Sequence, residues 1–114
     1  MAIVHNKRYE RQFVHMMCES GYHAERIADS GKGKYSVCDC ILFKEGISYL
    51  VEVKATKFPV FVVNKYAREQ FQKMIDVCSK NHIVPLLAIR FKNRGWKQIV
   101  LKEIPKKISF RGEK

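Results

Sequence analysis

Hydrophobic residues recur every three or four positions in two segments of the chain, and this spacing predicts two amphipathic helices. The first helix runs from a cap at Asn6 to about Ser20 and stops at Gly21. The second covers about 65–80, with Asn64 as its cap. The apolar stripes consist of Tyr9, Phe13, Met16 and Met17 in the first helix, and of Ala67, Phe71, Met74, Ile75 and Cys78 in the second.

A β-hairpin is predicted between the two helices. Segments 36–43 and 47–53 are rich in β-branched, aromatic and apolar residues, as strands are. Glu45 and Gly46 lie between these segments and suit a two-residue turn. With this turn, the numbers of paired residues sum to 91, which fixes the register of the whole hairpin.

Two acidic side chains face each other in that register. Asp39 lies opposite Glu52, and the alternation of side chains along a strand puts Lys54 on the same face. Like charges directly opposite one another destabilise a sheet, so the pair indicates a bound divalent cation. Mg²⁺ prefers carboxylate oxygens together with water and phosphate. The alternative is a solvated strand end that carries a Glu52–Lys54 ion pair.

Further strands are predicted on both sides of these elements, at about 22–28, 58–63, 86–91 and 96–101, with the last two joined around 92–95. The apolar runs 59–63 and 83–89 are interpreted as buried strands. The order of elements predicts an α/β fold in which helices flank a mixed central β-sheet. We expect a single domain over residues 1–114, with a basic tail from about residue 102.

Glu10 is an acidic residue in an unusual place on the first helix. At about 100° per residue it falls between Met17 and Val14, within the arc that faces the core. A carboxylate aimed at the metal site explains this position. The alternative is a first-turn glutamate that is stabilised by the helix dipole.

The segment 29–34 is a glycine-containing loop that carries Lys32 and Lys34. Its backbone N–H groups and its charge suit contact with phosphate, although an ordinary solvated loop has the same composition. It is not a nucleotide-binding P-loop, because Lys34 is followed by Tyr35 instead of Ser or Thr. We therefore expect no nucleotide cofactor.

The formal net charge of +11 on 114 residues favours a polyanionic partner. Nucleic acid is the first expectation, and an anionic membrane surface is the second. No apolar run approaches the roughly 20 residues of a membrane span, and the N-terminal residues do not resemble a signal peptide. We expect a cytoplasmic protein.

The four cysteines have neither disulfide nor zinc-ligand spacing. Cys38 and Cys40 flank Asp39, and alternation along a strand predicts that both point to the face opposite Asp39. Core thiols are the simpler interpretation, and a zinc site that includes these two residues is the alternative.

The order of these features resembles the restriction-endonuclease-like, PD-(D/E)XK, nuclease superfamily, and more narrowly the archaeal Holliday junction resolvases of cells and viruses. The resemblance covers nearly the whole chain, and the sharpest matches beyond Asp39 and Glu52-Val53-Lys54 are Glu10-Arg11 and the segment from Arg26 to Gly31. One departure is Cys38, where the family usually has proline before the catalytic aspartate.

The resemblance implies a homodimer whose two sites nick opposed strands of a four-way DNA junction during recombination and repair. It implies Mg²⁺, for which Mn²⁺ can substitute, on Asp39, Glu52 and the Val53 carbonyl, with Glu10 in support. Lys54 then orients or helps to deprotonate the attacking water. The residues expected to bind DNA are Arg11, Arg26, Ser30, Lys32, Lys34 and Gln70.

Two other functions remain open on the sequence. One is a nuclease of the same superfamily that acts on flaps, duplex ends or specific sequences, with the same catalytic residues. The other is a basic protein that binds nucleic acid or a membrane surface without catalysis, in which the carboxylate pair has no chemical role.

Overall fold

The structure is a computed structural model that describes residues 7–27 and 36–111. Its two helices are α1 (Lys7–Glu19) and α2 (Lys65–Asn81). Its strands are β1 (His23–Arg26), β2 (Cys40–Lys44), β3 (Ile47–Thr56), β4 (Val60–Val62), β5 (Val84–Phe91), β6 (Gly95–Val100) and β7 (Lys107–Ser109). Within the described ranges, no helix is long and apolar enough to cross a bilayer.

Five strands form the main sheet in the order β1-β2-β3-β5-β6. The β3–β5 pair is parallel and the other neighbours are antiparallel, so the sheet is mixed. A parallel pair needs a crossover connection, and here the connection contains α2. The structure confirms the predicted α/β fold.

The two helices cover opposite faces of the main sheet. The cluster on the α1 side includes Phe13, Met17, Cys40, Leu42, Val51, Val53, Leu86 and Ala88. The cluster on the α2 side includes Phe71, Met74, Cys78, Leu87, Ile89 and Phe91. Neighbours such as Leu86 and Leu87 belong to different clusters because strand side chains alternate. The central strands are therefore apolar on both faces, as β5 shows with four consecutive buried residues at 86–89.

The predicted hairpin register is confirmed. Leu42 pairs with Tyr49, and Lys44 pairs with Ile47 at the turn. Glu45 and Gly46 both have positive φ, at 52° and 83°, as the tight turns of two-residue hairpins require. The register at this turn positions every residue further along β3, including Glu52 and Lys54.

Both helix predictions are also confirmed. The α2 cap is Asn64, whose side-chain oxygen accepts a hydrogen bond from the Ala67 N–H at 2.8 Å. The helix ends at His82, which has a left-handed φ of 57°. In α1, Phe13 and Met17 are buried as expected, and the proposed cap Asn6 lies outside the described residues.

Two expectations about the second half of the chain need correction. The run 59–63 is not a buried strand of the sheet, because only Val60–Val62 is extended and the Val62 side chain is 65% exposed. The C-terminal segment after residue 102 contains β7, which pairs with β4 in a separate two-stranded sheet. Ile108 of β7 is buried in the α2-side cluster, so this part of the chain contributes to the core.

Candidate active site

A solvent-open cleft of about 140 Å³ lies between the start of β2, the middle of β3 and one face of α2. The residues that line it are Ser36, Val37, Cys38, Asp39, Glu52, Tyr66, Glu69, Gln70 and Lys73. The cleft contains the two acids that the hairpin register predicts to face each other. One wall comes from residues 36–39, just before β2, and from Glu52 of β3, and the other wall comes from α2.

Asp39 is fixed by hydrogen bonds from the backbone of β3. The chain bends at Asp39, one residue before β2 begins, and its N–H donates to the Val51 carbonyl at 2.8 Å. Its Oδ2 accepts from the Val53 N–H at 2.9 Å. Its carbonyl accepts from the Ile27 N–H at 2.8 Å, which links the site to the end of β1.

The bend at Asp39 corrects the prediction for the flanking cysteines. Cys38 and Cys40 do not point to the same face, since Cys38 packs in the α2-side cluster and Cys40 in the α1-side cluster. Strand alternation does not extend through a bend, and β2 begins only at Cys40. Both thiols are buried, and burial raises the pKa of the Cys38 thiol to about 12.

Glu52 lies on β3 with 6% of its surface exposed. Burial and, next, the negative charge of Asp39 together raise the pKa of its carboxyl to about 8, while Lys54 opposes the shift. The Asp39 and Glu52 side chains are within hydrogen-bonding reach of each other. Two carboxyl groups this close, with one deeply buried, favour a cation between them.

Lys54 is held between β3 and α2. Its Nζ lies 3.6 Å from Glu52 Oε2 and donates a 2.6 Å hydrogen bond to Gln70 Oε1. The Lys54 side chain is 16% exposed, and its amine lies next to two residues that line the cleft, Glu52 and Gln70. Gln70, which the sequence assigns to DNA, therefore contacts Lys54. In the sequence, Gln70 lies beside Phe71 at the border of the α2 apolar stripe.

Glu10 approaches the site from α1, on the other side of the sheet. Its side chain is buried and accepts a 3.2 Å hydrogen bond from Arg26 of β1. Burial raises the pKa of Glu10, the charge of Asp39 raises it as well, and Arg26 opposes both effects. Glu10 thus lies within electrostatic range of Asp39, and it is also a first-turn residue of α1.

Two of the remaining predicted DNA-binding residues are described by the structure, and neither lines the cleft. Arg11 is exposed on α1, Arg26 is paired with Glu10, and Ser30, Lys32 and Lys34 lie outside the described residues. Three lining residues of α2 were missed by the sequence analysis, namely Tyr66, Glu69 and Lys73. Their signal was the spacing of Glu69, Gln70 and Lys73 at three, four and seven positions after Tyr66, which puts all four residues on one helix face.

The donor set fits Mg²⁺ better than it fits zinc. Over residues 7–27 and 36–111, no three His, Cys, Asp or Glu side chains form a ready-made metal cluster. Structural zinc sites take four protein ligands and catalytic ones take three. Mg²⁺ instead uses one or two carboxylates and completes its shell with water and substrate phosphate. The Asp39–Glu52 pair beside an open cleft meets that description.

Comparisons with known proteins agree with this geometry. Residues 4–111 match the family model for archaeal Holliday junction resolvases, Hjc. The chain is 29% identical over 98 residues to a crossover junction endodeoxyribonuclease of Sulfolobus islandicus rod-shaped virus 1. The match covers 86% of this chain and 79% of the viral protein.

The fold is similar to that of Hjc from Archaeoglobus fulgidus, a Holliday junction resolvase from an archaeal hyperthermophile. The TM-score is 0.70 at 20% identity, and the match covers 90% of this chain and 86% of the other. The likeness extends across nearly all of both chains, so it describes the architecture as a whole.

Proposed function

Because the chain belongs to the archaeal Holliday junction resolvase family, we propose that it is an endonuclease that cuts four-way DNA junctions at the Asp39–Glu52 cleft. The reaction is hydrolysis of a phosphodiester bond in the DNA backbone. The observation that carries the proposal is the buried carboxylate pair beside Lys54 in a cleft that is open to solvent. The proposal needs no covalent intermediate between the DNA and the protein, because water is the attacking group.

We assign a divalent cation, Mg²⁺ with Mn²⁺ as a substitute, to Asp39 and Glu52. The Val53 carbonyl and Glu10, acting through water, complete the proposed ligand set. When bound, such an ion makes water a better nucleophile and offsets the negative charge that builds up on the phosphate. The raised pKa of Glu52 supports the assignment, because a nearby cation favours the charged form of a buried carboxyl group.

Lys54 is the proposed partner of the attacking water. Its ammonium group has three donors, and Gln70 accepts from one of them. The remaining N–H groups are available to orient water or a phosphate oxygen in the cleft. Gln70 is thus a positioning residue for Lys54, in addition to any contact that it makes with DNA.

In this proposal, the protein holds DNA at the cleft by contacts between its side chains and the phosphates of the DNA backbone. The proposed contacts are Arg11 and Arg26 on the described elements, together with Ser30, Lys32 and Lys34. Since phosphates carry no sequence information, recognition depends on the shape of the junction and on the spacing of its backbones. We assign the protein to the cytoplasm, where such junctions in DNA are accessible to it.

The test is cleavage of a synthetic four-way junction with Mg²⁺, beside the same arms as linear duplex. We expect nicks in the junction only, and loss of these nicks in Asp39→Asn and Glu52→Gln with junction affinity retained. Asp76→Asn, an isosteric change at an exposed position of α2, is the matched control and should cut normally. Equal cutting of linear DNA would reassign the protein as a general nuclease, and no cutting of any DNA would favour a binding protein.

We further propose that the active species is a homodimer with one cleft in each subunit. Two clefts related by a twofold axis match two opposed strands of a junction. Sedimentation should give twice the mass of the chain, and nicks should appear in pairs on opposed strands. A monomer that nicks one strand at a time would contradict the proposal.

A further inference from the structure

The wall that α2 contributes to the cleft carries different groups along its length. Tyr66, Glu69, Gln70 and Lys73 line the cleft, at the spacing of one helix face. The opposite face of α2 packs Ala67, Phe71, Met74 and Cys78 into the core. Gln70 on the cleft face accepts the hydrogen bond from Lys54, whereas the Tyr66 side chain lies on the cleft wall and is mostly exposed.

Tyr66 is the unusual member of this face. Its side chain is aromatic and 67% exposed, although the neighbouring Ala67 already supplies the apolar contact with the core. A large exposed ring on the wall of a cleft that contains the candidate catalytic carboxylates indicates a surface for a flat partner. Nucleobases are such partners, because every base has a π-face that stacks on aromatic side chains.

Tyr66 and Gln70 line the same cleft, and Gln70 connects this wall to Lys54. Gln70 contacts Lys54 Nζ at 2.6 Å, and Tyr66 lies four residues before Gln70, or about 6 Å along the helix axis. Stacked bases are separated by roughly 3.4 Å along one strand. The offset between Tyr66 and Gln70 along α2 therefore corresponds to about two base steps, so the nucleotides within three of the cut are the ones to test.

Resting on the proposed function, we propose that Tyr66 stacks on the base that a junction exposes at the point of strand exchange, and thereby selects junctions over duplex. In a continuous duplex both faces of each base are covered by its neighbours, whereas a strand that leaves the helix uncovers one face. Lys73 lies on the other side of Gln70, about 4.5 Å along the axis, where its ammonium suits the next phosphate. In this proposal the α2 face recognises the point of strand exchange, while Asp39 and Glu52 hold the cation beside the bond to be cut.

The experiment measures binding, so it does not depend on cleavage. In an Asp39→Asn background, junction affinity is compared among the parent, Tyr66→Ala, Tyr66→Phe and Phe58→Ala. Phe58 is the matched control, since it is 60% exposed but does not line the cleft. Each protein is tested on an intact junction, on linear duplex, and on junctions in which one nucleotide within three of the cut lacks its base.

We expect Tyr66→Ala to weaken junction binding about tenfold and to leave duplex binding unchanged, while Tyr66→Phe and Phe58→Ala bind like the parent. At one abasic position the junction affinity of the parent should also fall about tenfold. On that abasic junction, Tyr66→Ala should not lower the affinity further, which is the result of a double-mutant cycle when the side chain and the base are in direct contact. This inference alone is overturned if Tyr66→Ala lowers affinity by the same factor on every abasic junction, or if Tyr66→Ala changes the oligomeric state. A parent that binds junction no better than duplex overturns both this inference and the proposed function.

Discussion

Glu52 is the residue whose charge the fold controls most directly. It lies at the centre of the sheet with its carboxyl buried beside Asp39, and burial raises its pKa to about 8. In the unfolded chain the same group titrates near 4.5. Between these two values the folded protein holds a proton that the unfolded chain releases, and this difference links stability to pH.

The metal-free protein should therefore lose stability as the pH rises from about 4.5 to about 8. The contribution from Glu52 is fully present below its unfolded pKa and is lost as the pH passes through the folded pKa. Thermal melts in a chelator between pH 5 and pH 8.5 measure the slope, and Glu52→Gln should flatten it. Mg²⁺ should raise the melting temperature at pH 8 much more than at pH 5. A slope that is unchanged in Glu52→Gln would assign the effect to another group.

Gln70 gives a second prediction for a single side chain. Gln70→Ala should lower the cleavage rate at saturating enzyme by about ten- to a hundredfold, because Lys54 loses its 2.6 Å partner and misplacement of a catalytic group by about 1 Å costs up to that much. Junction affinity should stay within twofold of the original. Gln72→Ala is the matched control, since Gln72 lies on the same helix but bonds to the exposed Asp76. Loss of affinity without loss of the saturating rate would return Gln70 to a DNA-binding role.

At the scale of elements, the small β4–β7 sheet closes the α2 side of the molecule. Phe61 of β4 pairs with Ile108 of β7, and the Val63 N–H donates to the Lys106 carbonyl at 2.9 Å. Phe110 then packs its ring against Phe91 at a centroid distance of 5.3 Å. The end of the described chain thus covers the core beneath β5.

Ile108→Ala should accordingly destabilise the protein by about 2–5 kcal/mol, the usual range for removal of a buried isoleucine side chain. Lys107→Ala changes the preceding residue, whose side chain is exposed, and should cost little. Urea unfolding of both variants measures the difference. Equal stability of the two would mean that β7 does not contribute to the cooperative core.

Local patterns predicted the elements that local interactions form. The stripes of α1 and α2, the Asn64 cap and the Glu45-Gly46 turn are each set by residues within a few positions of one another, and the structure confirms them. The first strand is shorter than the predicted 22–28, since β1 covers only His23–Arg26. Asp39, Glu52 and Lys54 were found because a correct turn fixes the register for the whole hairpin. The β4–β7 pair was not predictable in the same way, because it joins distant segments.

The contacts between elements were likewise not visible in the sequence. The Lys54–Gln70 bond arises from the packing of α2 on β3, and the Glu10–Arg26 pair arises from the packing of α1 beside β1. Periodicity shows which face of a helix is buried, but it does not show which polar residue at the border of that face meets a strand. The bend at Asp39 also broke the alternation that the cysteine prediction assumed.

The whole molecule is defined by its charge of +11 and by the exposure of most of its basic side chains. Binding of a polyanion by such a surface releases counterions, so affinity should fall steeply as salt increases. Fluorescence anisotropy of a labelled junction between 50 mM and 200 mM salt should show a loss of roughly 10³–10⁵ if six to ten phosphates are contacted. A flat salt dependence would show that phosphates do not dominate the interaction.

The parallel pairing of β3 with β5 has a consequence for the timing of synthesis. Every residue assigned to catalysis or metal binding lies at or before Lys54, and Gln70 follows soon after, whereas β5 begins only at Val84. Because β3 pairs with β5 from Tyr49 to Thr56, the strand that carries Glu52 and Lys54 lacks one neighbour until β5 has been made. A nascent chain on the ribosome therefore contains every residue assigned to catalysis before β5 has been synthesised. We expect it to cut DNA only after β5 has paired with β3.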